Sequence, residues 1–327
     1  MSAAYDDSEV IAVCALRLEA RAFMAVMDQA NWDRNAQAAG RLGELSGDIN
    51  VYSTGRIGSH NVVLAHMPNI GKVPASITAS HLRRSFRNIR LVLLVGICGG
   101  VPGELNNIML GDVVVAKEVI EYDDGARIDG RFENVDDLED GLGGQSLGLR
   151  GFIRDLEAGA HILTENTSQH LASTLARLDS PITDGLVDNL YRSDYWHIHQ
   201  NPRSCAARQC QNNRGMCVEA SRASCEEVGC DRSGLVRQSR RKRRPDIHFG
   251  PIASGDMVLR SGAERDRIAR RGGAIAFDME AAGLWNYLPC ITVKGVCDYA
   301  DSHKNKRWQN YAALTAAACA IAIVEAW

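Results

Sequence analysis

Apolar residues in this chain gather into short unbroken runs, most of them closed by glycine or by an acid. Runs at residues 9–15 (EVIAVCA), 91–97 (LVLLVGI), 112–115 (DVVV), 247–254 (IHFGPIAS), 274–277 (AIAF) and 291–296 (ITVKGV) have the length of strands. Their lack of polar alternation predicts burial on both faces of a sheet. Residues 48–53 and 61–67 read as two further strands flanking a turn at 55–59. Helical spacing of apolar residues follows at 18–27, after Gly71 (Val73, Ile77, Leu82, Phe86), at about 165–178, at 264–271, and in an alanine-rich final helix at 312–324. Strands alternating with helices across both halves predict a single α/β domain built on one large sheet. Residues 130–245 change character, and within them 192–245 is polar and loop-like, the mark of a long insertion.

Acids stand where the apolar runs stop, which is where an open α/β sheet places its ligands. Glu19 falls at the junction of the first strand and first helix, Asp256 after the 247–254 run, Glu280 after 274–277, and Asp298 after 291–296. A carboxylate in a first helical turn is favoured by the helix dipole in any case, so Glu19 alone is ambiguous. The 91–97 run passes into GICGGVPG (96–103), whose glycines let backbone approach a ligand, although a plain tight turn reads equally well. Acids crowded or partly buried divide into proton donor and acceptor, the division used to cleave glycosidic bonds. A nucleophile elbow, an HExxH zinc motif and a GxxxxGK[ST] phosphate loop are all missing from the sequence.

Composition narrows this further. A formal charge of -3 over 327 residues excludes a globally basic nucleic-acid or acidic-membrane binder. The polar, acidic N-terminus carries no secretory signal, and residues 312–324 are too short to span a bilayer, so the expectation is a cytoplasmic or nuclear protein. Of the ten cysteines, Cys14, Cys98, Cys290, Cys297 and Cys319 sit singly in apolar runs, as small buried hydrophobes do. Cys205, Cys210, Cys217, Cys225 and Cys230 crowd the insertion just after His197 and His199. With no CxxC pair among them, the reading adopted is a Cys-rich loop without metal, a structural zinc being the alternative. The basic run at 237–244 (RQSRRKRR) reads as a solvated loop, with a nuclear signal or polyphosphate clamp as alternatives.

The ordered set VCALRLEA (13–20), GRIGSHNVV (55–63), NIGKVPA (69–75), VGICGGVP (95–102), LGDVVV (110–115), IHFGPIASGD (247–256), MEAAG (279–283) and GVCDYADSHKN (295–305) resembles the nucleoside phosphorylase and nucleosidase superfamily, its fungal branch in particular. The resemblance implies a twisted mixed sheet wrapped by helices, cleavage of a ribosyl N-glycosidic bond, a homo-oligomer, a purine nucleoside or nucleotide as ligand, and no cofactor. It assigns Asp298 to protonation of the leaving purine, Met279 and Glu280 to the ribose, and Glu19 to activation of water. Ile97, Cys98 and Gly99 on the glycine turn, Ser254, Asp256 and Val258, and Arg56 are the further substrate contacts it suggests. Phosphorylases of this family carry arginine where Glu19 stands, and an Arg and a Ser where Leu94 and Ile97 stand. Their replacement implies hydrolysis of an adenine nucleoside or nucleotide, with a phosphorylase as runner-up and a non-catalytic sensing module as the alternative of another class. Val258 replaces the phenylalanine that stacks on adenine in bacterial methylthioadenosine nucleosidases.

Overall fold

The computed structural model describes residues 8–31, 48, 50–103, 107–128, 131–134, 145–178, 181–201, 205, 210, 216–240 and 244–327. In chain order its first half runs β1 (Val10–Cys14), α1 (Arg17–Val26), β2 (Gln29–Asn31), β3 (Val51–Ile57), β4 (His60–His66), α2 (Lys72–Ser85), β5 (Leu91–Gly100), β6 (Val113–Glu121), β7 (Gly125–Ile128) and β8 (Arg131–Asn134). There follow α3 (Leu147–Ala158), α4 (Ala160–Leu178), β9 (Val187–Tyr191), a short α5 (Cys225–Val228) and β10 (Leu235–Arg240). The chain then returns to the sheet with β11 (Ile247–Ser254), α6 (Gly262–Gly272), β12 (Ala276–Asp278), α7 (Ala281–Trp285), β13 (Cys290–Asp298) and α8 (Gln309–Ala326).

Nine strands form one mixed sheet in the order β12-β11-β6-β13-β5-β1-β4-β3-β2. β5 lies parallel to both β1 and β13, while β13 runs antiparallel to β6. The far end of β5, at Gly99 and Gly100, also pairs antiparallel with β12, so five strands curl into a closed ring beside the open part of the sheet. Burial on both faces explains the unbroken apolar runs. Along β1, Val10, Ala12 and Cys14 enter the core shared with α1 and α8, whereas Ile11 and Val13 enter the core under α2 and α7. The α/β class and mixed sheet expected from the sequence are those observed.

Several local expectations change. Strand β3 continues through Gly55 and Arg56, and the chain reverses at Gly58, whose φ of +53° suits a residue without a β-carbon. β6 is nine residues long, running on through Lys117 and Glu118 well past the expected 112–115 strand, and the β7/β8 hairpin follows it. Within the expected loop at 192–245, β10 pairs antiparallel with β9, so the described part of the insertion rises from a two-stranded ribbon. The basic run lies partly on that ribbon; residues 241–243 fall outside the described residues. Among the described residues, no helix is long and apolar enough to cross a membrane.

Helix α8 is buried along most of its length against β13 and β5, and one glycine sets how close it comes. A β-carbon at Gly295 would stand 1.9 Å from the Ala312 carbonyl oxygen, backbone that cannot swing aside. Gly295→Ala is therefore expected to lower stability by at least ~1–3 kcal/mol, the usual range for overpacking. Urea unfolding measures this, and an unchanged midpoint would refute the packing argument.

Candidate active site

The carboxyl ends of β1, β5 and β13 meet at one place. Just past β1, Glu19 turns its side chain back toward the start of α1, accepting from the backbone N–H of Leu16 at 2.8 Å and of Ala15 at 3.1 Å through Oε2. Its Oε1 accepts from the Ile97 N–H of β5 at 2.9 Å. This tight seat needs Gly96, because a β-carbon there would lie 2.5 Å from Glu19 Oε1. The glycine stretch thus serves as the wall of a carboxylate pocket inside a continuing strand.

On β13, in register with Gly96, stands Lys294, wholly buried. Its ammonium donates to Glu280 Oε2 at 3.0 Å and lies 3.1 Å from Asp278 Oδ2. Glu280, at the turn from β12 into α7, also accepts from the Gly71 N–H at 3.4 Å through Oε1. Farther along β13, Asp298 accepts from the Ala300 N–H at 2.9 Å through Oδ1. Its Oδ2 lies 3.2 Å from the Lys304 ammonium and takes the Cys297 thiol at 3.2 Å. Ala300 itself is held at φ +49°, a left-handed conformation that is costly for alanine.

Burial dominates the charge balance. It pushes Glu19 up to about 7; the Lys294 cation opposes the rise, Glu280 adds to it, and the backbone donors oppose it. For Lys294 desolvation acts to lower the pKa, but Glu280, Asp278 and Glu19 together hold it well above the ordinary lysine value. Asp301, three residues beyond Asp298, is likewise pushed up to about 6 by burial, with Arg265 opposing. A carboxyl poised near neutrality beside a fixed cation can exchange a proton with a bound water.

Glu19, Ile97, Glu280 and Asp298 are drawn together with Cys98 and Gly99, whose strand pairs with β13 at this level, and with half-buried Met279 next to Glu280. Asp256 reaches the same neighbourhood from another side: its Oδ1 accepts the Lys72 N–H at 2.8 Å, at the start of α2, next to the Gly71 that binds Glu280. Ser254 is fully buried and its Oγ accepts the Ala282 N–H at 3.1 Å, fastening the first turn of α7. Val258 is 51% exposed. Arg56 sits on β3, three strands from β5 and so about 14 Å across the sheet, with its guanidinium 3.5 Å from the Gly58 carbonyl of its own hairpin. Leu94 is fully buried in the core.

A profile of the phosphorylase superfamily matches residues 10–325. The chain belongs to this superfamily. It is 32% identical over 314 residues to a nucleotide-binding leucine-rich repeat (NLR)-like protein of Hyaloscypha variabilis, covering 94% of this chain but only 28% of that relative. A 5'-methylthioadenosine/S-adenosylhomocysteine nucleosidase of Mycobacterium bovis is 23% identical over 276 residues, 83% of this chain and 82% of the relative. Among solved structures, the corresponding Helicobacter pylori nucleosidase superposes with TM-score 0.54 at 14% identity, over 98% of this chain and 99% of that one. The futalosine hydrolase of the same organism gives TM-score 0.53 at 15% identity, over 98% of each chain. At these identities the structural likeness speaks for the fold.

In this superfamily member, sequence reasoning passed over Lys294 and Asp278. Their signal was a lone lysine inside an otherwise apolar strand, which is affordable only with buried acids as partners. Because folding raises the Glu19 pKa, the folded chain keeps a proton that the unfolded chain releases. The stability this gives is whole at pH below the ordinary carboxylate range and is lost as pH climbs through 7, by about 3 kcal/mol. Glu19→Gln removes the titration. The difference in unfolding free energy between the two proteins should shift in favour of the variant by roughly that amount between pH 4 and pH 8, and a pH-independent difference would show that Glu19 is not so perturbed.

Proposed function

We propose that the chain is a purine nucleosidase, hydrolysing the N-glycosidic bond of an adenine nucleoside. The observation that carries this reading is Glu19: a buried carboxylate with a pKa near 7, seated on three backbone N–H donors at the meeting point of three strands. A base with that pKa suits activation of water at neutral pH. A phosphate dianion brought within about 4 Å of the same carboxylate in its ionised form would be repelled by ~2–8 kcal/mol at effective dielectrics between water and protein surface. The relatives named as nucleosidases and as a hydrolase support the hydrolytic reading.

In this scheme Asp298 gives a proton to the departing purine, drawing the bonding electrons into the base as the glycosidic bond breaks. Ala300 and the turn behind it fix the orientation of its carboxyl. Glu280, anchored by Lys294 and Gly71, accepts from the ribose hydroxyls and faces the positive charge that develops on the sugar. Glu19 takes the proton of the water that attacks the anomeric carbon. Met279 lines the ribose, and Ile97, Cys98 and Gly99 form the wall behind it, with Asp256 and Val258 on the base side.

The contacts of the neighbouring cations favour a nucleoside over a nucleotide. Arg237 binds Asn107 Oδ1 at 2.9 Å and the Tyr299 hydroxyl at 2.6 Å, and the Lys72 ammonium pairs with Glu121 and Asp123. These charges are engaged within the protein and are poorly placed to receive a polyphosphate.

The test is chromatography of base release from adenosine, inosine, guanosine, methylthioadenosine, AMP and ATP, with and without inorganic phosphate. Adenine release that is indifferent to phosphate is expected. Ribose 1-phosphate formed only in its presence would replace the hydrolase by a phosphorylase. Asp298→Asn should lower kcat by ~10²- to 10⁴-fold, the usual worth of a general acid, and an unaltered rate would remove Asp298 from the mechanism.

A further inference from the structure

The insertion carries five cysteines, and with His197, His199 and His303 they gather into two sets, whose closely spaced donor atoms belong to His197, Cys230 and His303 in one and to His199, Cys205 and Cys217 in the other. In the first set, His197 is buried and its Nε2 lies 3.0 Å from the Ala220 carbonyl oxygen and 3.1 Å from that of Ala223. Both neighbours are acceptors, so Nε2 carries the proton and Nδ1 presents its lone pair. That lone pair faces Cys230 Sγ at 3.4 Å and Cys225 Sγ at 3.7 Å. His303 completes the group: its ring is buried, neither nitrogen has a hydrogen-bond partner, and one of them lies within 4.8 Å of the donor atoms of His197 and Cys230. Tyr191 stacks on the outer face of that ring at 3.9 Å between centroids.

The second set lies within the insertion. Both nitrogens of His199 are sealed from solvent without a hydrogen-bond partner, and its donor atom lies within 4.8 Å of those of Cys205 and Cys217. Cys210 is buried in the same small cluster as Cys205 and Cys217. Cys217 Sγ accepts the Ala220 N–H at 3.3 Å, so a single residue serves both sets, its N–H at one and its carbonyl at the other.

We propose that the insertion is a two-metal module, with one zinc-class divalent cation bound by His197, Cys225, Cys230 and His303 and a second by His199, Cys205, Cys210 and Cys217. A tetrahedron with zinc–sulfur bonds near 2.3 Å and zinc–nitrogen bonds near 2.05 Å separates nitrogen from sulfur by about 3.6 Å. The two distances from His197 Nδ1 straddle that value. Hydrogen bonding of the second imidazole nitrogen to backbone carbonyls is the usual outer support of a metal-bound histidine, and mixed thiolate and imidazole donors select zinc over hard cations. A cavity of about 180 Å³, whose walls include Tyr191, His197, Cys225, His303, Asn305 and Trp308, offers an entry path to the first site. Among the described residues the module has a small apolar core of its own, and closed metal sites supply folding energy to such modules. Each ion binds as the cysteines release their protons to solvent, with no change of oxidation state.

The full chain, purified from zinc-supplemented medium and dialysed into metal-free buffer, should contain two zinc ions by mass spectrometry of the elements. Cys225→Ser with Cys230→Ser should leave one, and so should Cys205→Ser with Cys217→Ser. Because such variants risk misfolding, the wild-type chain is also titrated with a mercurial in the presence of a chromogenic zinc indicator. Release of two zinc ions as the insertion thiols are consumed supports the assignment. Zinc absent from the wild-type chain, a single ion per chain, disulfides among these five cysteines by peptide mapping, or either double variant retaining both ions would overturn it.

Discussion

Lys294 is a cation with no water around it, and its surroundings are arranged to make that tolerable. The isolated ammonium would carry a desolvation cost of several kcal/mol, offset chiefly by the carboxylates of Glu280 and Asp278 at hydrogen-bond distance. The turn from β12 to α7 must therefore deliver both acids to the middle of β13. The same charge tempers Glu19 from the other side. Three segments widely separated in sequence, those holding Glu19, Asp278 with Glu280, and Lys294, are thus tied together by one buried cation. The closed ring beside the open sheet and the site depend on the same ion pairs.

The sheet was largely legible because doubly buried strands cannot hide: a run such as LVLLVGI has no solvent face to carry polar residues. The acids were legible because they interrupt those runs at their ends. What escaped reading was where local preference and tertiary context disagree. Helix α3 contains Gly148 and Gly151, both facing open space, which lowers helix propensity, and it is held by Leu149, Ile153 and Leu156 packing into the core. β6 was cut short at its charged residues, although Lys117 reaches outward to pair with Glu157. Gly55 resembles a turn residue yet lies inside β3 opposite Val62.

The cysteines and histidines of the insertion show a different limit. Spacing rules detect ligands that are neighbours in sequence, whereas His197 and His303 are brought together only by the fold. Their meeting depends on the base of the ribbon, where Asp188 on β9 accepts from the Tyr299 hydroxyl and pairs with Arg237 on β10. Tyr299 directly follows Asp298, so the foot of the insertion is pinned to the strand end that bears the acid assigned to the leaving group.

The buried cation also constrains how this protein could change over evolutionary time. A surface site can lose its residues one at a time, each loss nearly neutral. Here, removal of a single acid strands part of a positive charge in the protein interior, and removal of Lys294 strands two negative ones. A descendant that abandoned chemistry for binding alone would be driven to exchange these groups in concert, or to retain them for stability long after catalysis had ceased to matter. Retention of the charged cluster would then be a poor guide to activity, whereas the proton-handling groups outside the cluster's reach would be free to drift first.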